Sequence, residues 1–438
     1  MERTFYTFSL NNKPALYSHL LYWAKENYSS LAFLNSSHAI KDPYSSGYDA
    51  ILAVGARRHI CPDENTSAFS ALKDFSDQNN DWIFGFLSYD LKNQLENLKS
   101  ENADSIRMPL MHFFVPEIVF LFKGNEVKMG ILSENEYSGR HNELWETASG
   151  FTFKTGSSQV EKILHRVNRD EYIRNVEKIK NHIQIGDIYE ANYCIEFFSE
   201  SAEIDPAEAY LRLNLHNPAP FSCFYKLDEK YLISSSPERF LARRGKKLVS
   251  QPIKGTIKRG KTSEEDKIFK NKLLNDPKER SENVMIVDLV RNDLSRSAER
   301  GSVKVEELFG IYTYPRVHQM ISTVTATLKN DMHFVDAIRI AFPMGSMTGA
   351  PKIRAMELIE DYEATRRGLY SGTVGYIDPE KDFDFNVIIR SILYNHTDKF
   401  LSFMAGSAIT IESDPEKEYE ECLLKAGSMA YIINTNLQ

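Results

Sequence analysis

The chain has 438 residues, 42% apolar and 26% charged, with a formal net charge of −8 and both signs mixed along it. At about 100–200 residues per domain this predicts two domains, or one large domain of two lobes, able to bury a sizeable core. The charge balance shows no nucleic-acid footprint, and no run of about 18 apolar residues offers a signal peptide or membrane span. Cys61, Cys194, Cys223 and Cys422 are far apart and form no Cys-x-x-Cys pair, which predicts reduced cytoplasmic thiols rather than a zinc site or disulfide framework.

Up to about residue 150 the pattern is mixed. Ala50 to Val54, Trp82 to Tyr89 and Glu117 to Lys123 read as strands, the last starting just after Pro116. Lys154 to Ser158 is small and polar and reads as a linker, so the predicted units are 1–153 and 160–438. Asn168, with Glu171 three residues on, signals a helix start. Tyr172, Val176, Ile179 and Ile183 follow at helical spacing, and Gly186-Asp187 ends the helix. Further on, Tyr231 to Ser236, Thr373 to Ile377, Phe385 to Arg390 and Phe400 to Met404 read as strands. Ser281 to Leu294, Met332 to Phe342, Pro351 to Tyr362 and Glu416 to Ile433 read as helices. The mixture predicts an α+β fold whose strands need not be parallel.

Two carboxylate pairs stand out. Glu279 and Glu282 open one predicted helix; Glu418 and Glu421 lie on another, with Lys425 four residues further. Spacings of three and four share a helical face. If the faces met, four carboxylates would converge and repel unless a cation bound them, and hard oxygen ligands favour Mg²⁺. Glutamates three apart are common, so by spacing alone two ordinary charged helix surfaces are the preferred reading of the pairs. Phe342 to Lys352 is a glycine-containing turn opening a helix, with Pro351 suited to the first helical turn. Its backbone N–H groups could hold an anion, although its glycine spacing is not that of a Walker loop. Lys254, in Gln251-Pro-Ile-Lys-Gly-Thr256, is a nucleophile only if its pKa falls well below the free value of about 10.4; otherwise it is a solvated turn lysine. His318 can donate a hydrogen bond or a proton, or be structural. Arg390 ends an apolar strand, where an arginine is expected to have a carboxylate partner.

Taken together, the segments resemble the chorismate-utilising enzymes, the anthranilate synthase component I family. The matching stretches are Pro252-Ile-Lys-Gly-Thr256, Glu282 through Asp293, Gly345 through Lys352, Arg367-Gly-Leu-Tyr-Ser-Gly372, Ala405-Gly-Ser-Ala408 and Glu418 through Lys425. They occur in the family's order from about residue 165 to the C-terminus. The resemblance implies large antiparallel sheets in a sandwich flanked by helices. It also changes the reading of the residues. Glu282 and Glu421 are implied as direct Mg²⁺ ligands, and Glu279 and Glu418 as partners through water. Arg390, Tyr370 and the backbone near Gly406 are implied to grip the enolpyruvyl carboxylate, with Thr256, Thr348 and Lys425 lining the same pocket. Glu238 matches the acid that protonates the departing C4 hydroxyl, which requires it to stay protonated near neutral pH, and His318 matches a histidine near the ring.

Lys254 decides the subgroup. Family members that make anthranilate usually have alanine there, whereas those that aminate C4 usually have lysine, as here. The implied route is attack of Lys254 on C2 with loss of the C4 hydroxyl, then attack of ammonia on C4 with loss of the lysine. Isochorismate and salicylate synthases carry a water-activating lysine where this chain has Glu190; amine-using relatives generally have glutamine, so Glu190 departs from both. The chain shows no Gly-x-Cys-x-Gly nucleophile motif, so the resemblance implies a glutamine amidotransferase partner supplying ammonia. The alternatives are an anthranilate-forming enzyme and an inactive chorismate-binding regulatory subunit. At the N-terminal end, Gly85 to Asp90 fits the family's Gly-x-x-Ser-Tyr pattern. Leu34-Asn-Ser36 stands where feedback-regulated relatives have Leu-Glu-Ser, and the missing glutamate argues against tryptophan inhibition.

Overall fold

Strand Met111–Lys123 is where the sheet divides. One of its edges pairs along its length with Ala50–Ile60. The other edge pairs with Glu126–Leu132 over residues 118–123, but with Ile83–Leu87 over residues 111–114. Pro116 sits at the change-over, opposite a register shift between Ala56 and Arg58. A proline has no N–H for the ladder, so it is tolerated where the pairing is already interrupted. The expected start after Pro116 is therefore too late by six residues, and Ala50 to Val54 likewise continues to Ile60. The computed structural model describes residues 2–10, 13–37, 42–156 and 158–434; Ser157 of the expected linker lies outside them.

From that division two arms extend. The first passes through Ser30–Asn35, Phe221–Leu227, Lys230–Ser236, Ser391–Asn395 and Phe400–Ile409 to Glu190–Ser199. The second passes through Thr373–Ile377, Phe383–Asn386, Arg239–Arg244 and Lys247–Gln251 to Val317–Thr327, which Ile253–Lys258 and Lys304–Thr313 flank. Every ladder between these strands is antiparallel. One apolar cluster draws Ala32, Ile51 and Leu232 from the first arm and Phe84, Val374 and Tyr376 from the second, so the arms pack face to face. Helices cover the outer faces: Arg169–Gln184, Pro206–His216 and Pro415–Ile432 on the first, Ala68–Gln78, Pro277–Ser297 and Phe334–Ala341 on the second. This is an α+β fold of large antiparallel sheets flanked by helices. Strands on either side of residues 154–158 share the network, since Ser30–Asn35 pairs with Phe221–Leu227 and Ile83–Leu87 with Thr373–Ile377.

The helix start expected at Asn168 holds, while two other helices begin earlier than expected, at Asp-Pro pairs. Asn168 caps Arg169–Gln184, its side chain accepting from the Glu171 N–H at 3.0 Å. Asp276-Pro277 and Asp414-Pro415 start the two carboxylate-bearing helices, Pro277–Ser297 and Pro415–Ile432, in the same way: aspartate caps and proline takes the first position. The first of them starts four residues before the predicted Ser281, which brings Glu279 into its first turn. Pro351 is the cap of Lys352–Tyr362 rather than part of its first turn. The strand expected over Phe385 to Arg390 stops at Asn386, and Arg390 takes a positive φ of 52°.

Candidate functional site

Four acidic and basic elements meet around Lys254. Strand Ile253–Lys258 presents it next to Gly255, whose φ is +90°. A Cβ on Gly255 would lie 3.0 Å from Glu279 Oε2, so glycine both accepts the backbone angle and lets the first turn of the Pro277–Ser297 helix come close. Glu190 opens the strand Glu190–Ser199 and pairs in register with Ala350, while the N–H of Asn192 donates to Thr348 O at 2.7 Å. The glycine-containing turn thereby fixes where Glu190 points. Lys352 Nζ anchors the same turn, donating to Asp293 at 2.6 Å and to the carbonyl of Pro343 at 2.9 Å.

The charges form an alternating line. Lys254 Nζ lies 2.7 Å from Glu190 Oε1 and 4.0 Å from Glu282 Oε2. Lys278 Nζ lies 3.7 Å from Glu282 Oε1 and 3.4 Å from Glu418 Oε1. Glu190, Glu282, Glu418 and Lys254 are all buried. Burial alone would push the Lys254 amine toward neutrality, but Glu190 and Glu282 outweigh it and raise its pKa. The lowered pKa required of a free nucleophilic lysine is thus absent in this state. Burial pushes the Glu282 carboxyl up to about 7, against the pull of Lys254. Glu279 is also raised, by burial and by Asp276. Glu421 is lowered: Lys425, Lys278 and Arg390 overcome its burial.

The four carboxylates do not close into a ready cage. Among the described residues no three Asp, Glu, His or Cys side chains stand close enough to hold an ion by themselves. The cation that lets Glu282 and Glu418 approach is Lys278, a residue the sequence reading passed over although it is four residues from Glu282 on one helix. The oxygens still suit a hard cation. Glu282 Oε1 and Glu190 Oε2 are buried and make no hydrogen bond among the described residues, an expensive condition for a carboxylate.

Glu238 sits in the turn after strand Lys230–Ser236, 4% exposed, its N–H on Ser236 Oγ at 3.3 Å. Burial pushes its carboxyl up to about 7, with Ser346, Lys254 and the Ile253 backbone opposing. Its carbonyl accepts from the N–H of Val387, which ties it to the irregular segment ending at Arg390. The Arg390 guanidinium makes no hydrogen bond or ion pair among the described residues, contrary to the expected carboxylate partner; burial lowers its pKa, against the influence of Tyr370 and Glu421. Arg390, Thr256 and Gln319 line a cavity of about 450 Å³. Lys425 Nζ reaches Glu421 at 2.5 Å and the carbonyl of Gly406 at 2.7 Å. A side chain at Gly406 would strike Cys194 Sγ.

The model of the chorismate binding enzyme family matches residues 31–431. The chain belongs to that family. Aminodeoxychorismate synthase component 1 from Bacillus subtilis is 35% identical over 79% of this chain and 75% of its own length. The protein of the same name from Escherichia coli is 33% identical over 86% and 84%. Among solved structures, anthranilate synthase component I from Streptococcus pneumoniae superposes with a TM-score of 0.77 at 25% identity, over 90% of this chain and 94% of that one. The menaquinone-specific isochorismate synthase from Escherichia coli reaches 0.77 at 16% identity over 99% and 94%, a likeness of fold alone.

Two expected family positions have other partners here. Val317 and Gln319 face the cavity, so strand alternation turns His318 to the other side. There its Nε2 lies 2.9 Å from Asp266 Oδ1 and its Nδ1 3.1 Å from Thr313 Oγ1, while Arg259 grips the same aspartate. His318 therefore fastens the Ser263–Leu274 helix rather than reaching Lys254 or Glu238. The Thr348 hydroxyl donates to Gly345 O at 3.2 Å and so closes its own turn. Tyr370 is buried with its hydroxyl near Cys194. Leu34, Asn35 and Ser36 line a separate cavity of about 420 Å³. No helix among the described residues is long and apolar enough to cross a membrane.

Proposed function

We propose that this chain aminates chorismate at C4, giving 4-amino-4-deoxychorismate, as component I of an aminodeoxychorismate synthase. The observation that carries the reading is the buried Lys254 between Glu190 and Glu282. It stands where C4-aminating relatives have a lysine, and the similarity to two enzymes of that name supports it. Lys254 Nζ bonds to C2 while the ring double bonds shift and the C4–oxygen bond breaks. Glu190, 2.7 Å away, is the nearest acceptor for the Lys254 proton. Glu238, with a carboxyl pushed up to about 7, carries a proton in about half of the molecules at neutral pH, and that proton goes to the leaving hydroxyl, which departs as water. Ammonia then bonds to C4 and the double bonds shift back. Lys254 leaves and recovers its proton.

Arg390 has no partner among the described residues and faces a cavity that Thr256 also lines, which suits it to the enolpyruvyl carboxylate; Tyr370 and the backbone at Gly406 would complete the grip. Glu282 and Glu421 would hold Mg²⁺ directly, with Glu279 and Glu418 acting through water. Bound there, Mg²⁺ supplies charge neutralisation at the ring carboxylate. The ammonia would come from a glutamine amidotransferase partner, in keeping with relatives named as one component of a synthase. A cytoplasmic setting agrees with the four free cysteines.

Incubation of the purified chain with chorismate, Mg²⁺ and ammonium, with products identified by mass, tests this. The expected product retains the enolpyruvyl group and carries nitrogen at C4. Anthranilate with released pyruvate, or isochorismate, would overturn the assignment. Binding without turnover, with ammonium in excess, would leave a chorismate-binding subunit instead.

A further inference from the structure

The cavity bounded by Arg390 has an unusual wall. Among the described residues its lining includes two arginines, Arg390 and Arg316, and no aspartate or glutamate, in a chain with 61 acidic against 53 basic residues. One side is a face of the Pro415–Ile432 helix: Leu424, Ser428 and Tyr431 follow Glu421 at spacings of three and four, so the face that carries Glu421 continues outward along the cavity. Leu424 and Tyr431 are 79% and 58% exposed, which places the mouth at this end. Arg316 is there too, exposed in the turn Tyr314-Pro315-Arg316 between strands Lys304–Thr313 and Val317–Thr327. Its Nη2 lies 3.3 Å from His216 Nδ1, at the end of the Pro206–His216 helix, and Tyr431 packs edge-on against that histidine at 4.9 Å. No carboxylate among the described residues pairs with Arg316. The mouth thus carries a cation with spare hydrogen-bonding capacity, and the interior another.

We propose that this cavity is the access chamber of the site and that Arg316 is its capture residue: it draws in a dicarboxylate substrate at the mouth and passes it to Arg390. The inference rests on the chorismate reading above. A net charge of −8 repels a dianion from most of the surface. A wall free of acids with arginine at the rim reverses the local potential, and such focusing raises association rates. Arg316 acts on arrival and not on the chemical step.

The test is chorismate association by stopped-flow at several ionic strengths, with steady-state kinetics alongside. Arg316→Ala should slow association about tenfold at low salt and flatten its salt dependence, with kcat unchanged and kcat/KM reduced in proportion. Arg316→Lys should restore most of the rate. Wild-type binding with unaltered association in Arg316→Ala would overturn the inference alone. A wild-type chain without affinity for chorismate would overturn the functional reading and the inference with it.

Discussion

Glu190 Oε1 and Lys254 Nζ form a buried pair 2.7 Å apart, and the raised pKa of the lysine follows from that neighbour and from Glu282. A nucleophilic amine must lose its proton before it attacks, and the pair keeps donor and acceptor in contact. The proton then moves within the site, and the rate of the wild-type enzyme should vary little with bulk pH around neutrality on account of Lys254. In Glu190→Gln the acceptor is gone, so Lys254 must lose its proton to solvent. The pH–rate profile should gain an ascending limb, with activity falling roughly tenfold per pH unit below the Lys254 pKa and recovering at alkaline pH. A profile identical to that of the wild type would remove Glu190 from this role.

Lys254→Ala should abolish amination yet leave chorismate binding largely intact, because Arg390 and the carboxylates proposed to hold the metal lie on other elements. Substrate-induced thermal stabilisation and product analysis on the same preparation check both halves. Retained amination would exclude the covalent route.

Glu238 couples stability to pH. Folded, it titrates at about 7; its ordinary value is 4.5. Between those values the folded chain holds a proton that the unfolded chain releases, so this contribution is present below pH 4.5 and is lost as pH rises through 7. A shift of that size corresponds to roughly 3 kcal/mol. Urea denaturation should therefore show Glu238→Gln gaining about 3 kcal/mol on the wild type between pH 4 and pH 8. Activity should drop about 10²- to 10⁴-fold, since glutamine cannot protonate the leaving hydroxyl.

Arg390 is half-buried, and its guanidinium has no carboxylate partner among the described residues. Its replacement by methionine removes an unmatched charge and should leave the melting temperature of the free chain unchanged or higher. Affinity for chorismate should fall roughly 10- to 100-fold, in line with about 1.5–3 kcal/mol for a charged hydrogen bond. A loss of stability without loss of affinity would make the arginine structural.

Lys278 bridges Glu282 and Glu418, the space in which a metal ion would compete with it. Lys278→Met should lower the melting temperature without Mg²⁺ and enlarge the stabilisation that added Mg²⁺ produces. Isothermal titration with Mg²⁺ alone should show tighter binding than in the wild type. Unchanged affinity would place the ion elsewhere.

Local chemistry wrote several features directly into the chain. Asn168, Asp276-Pro277 and Asp414-Pro415 mark helix starts, because an orphan N–H needs an acceptor whatever the rest of the molecule does. The three-residue spacing of Glu279 and Glu282, and of Glu418 and Glu421, likewise puts each pair on one helix face. Long-range placement was the limit. Strand Met111–Lys123 runs through Pro116 only because the sheet divides there, and Phe383–Asn386 stops short of Arg390 because the backbone turns away to reach Ser235 and Glu238. The sequence by itself determined which residue types sit at which spacing, and hence the family. The tertiary structure decided that Lys278 neutralises the carboxylates, that Glu190 holds Lys254, that His318 serves Asp266 and that Arg390 has no partner among the described residues. Each of those depends on side chains dozens to hundreds of residues apart, or on which face of a strand points inward, and burial sets the strength of the interaction once they meet.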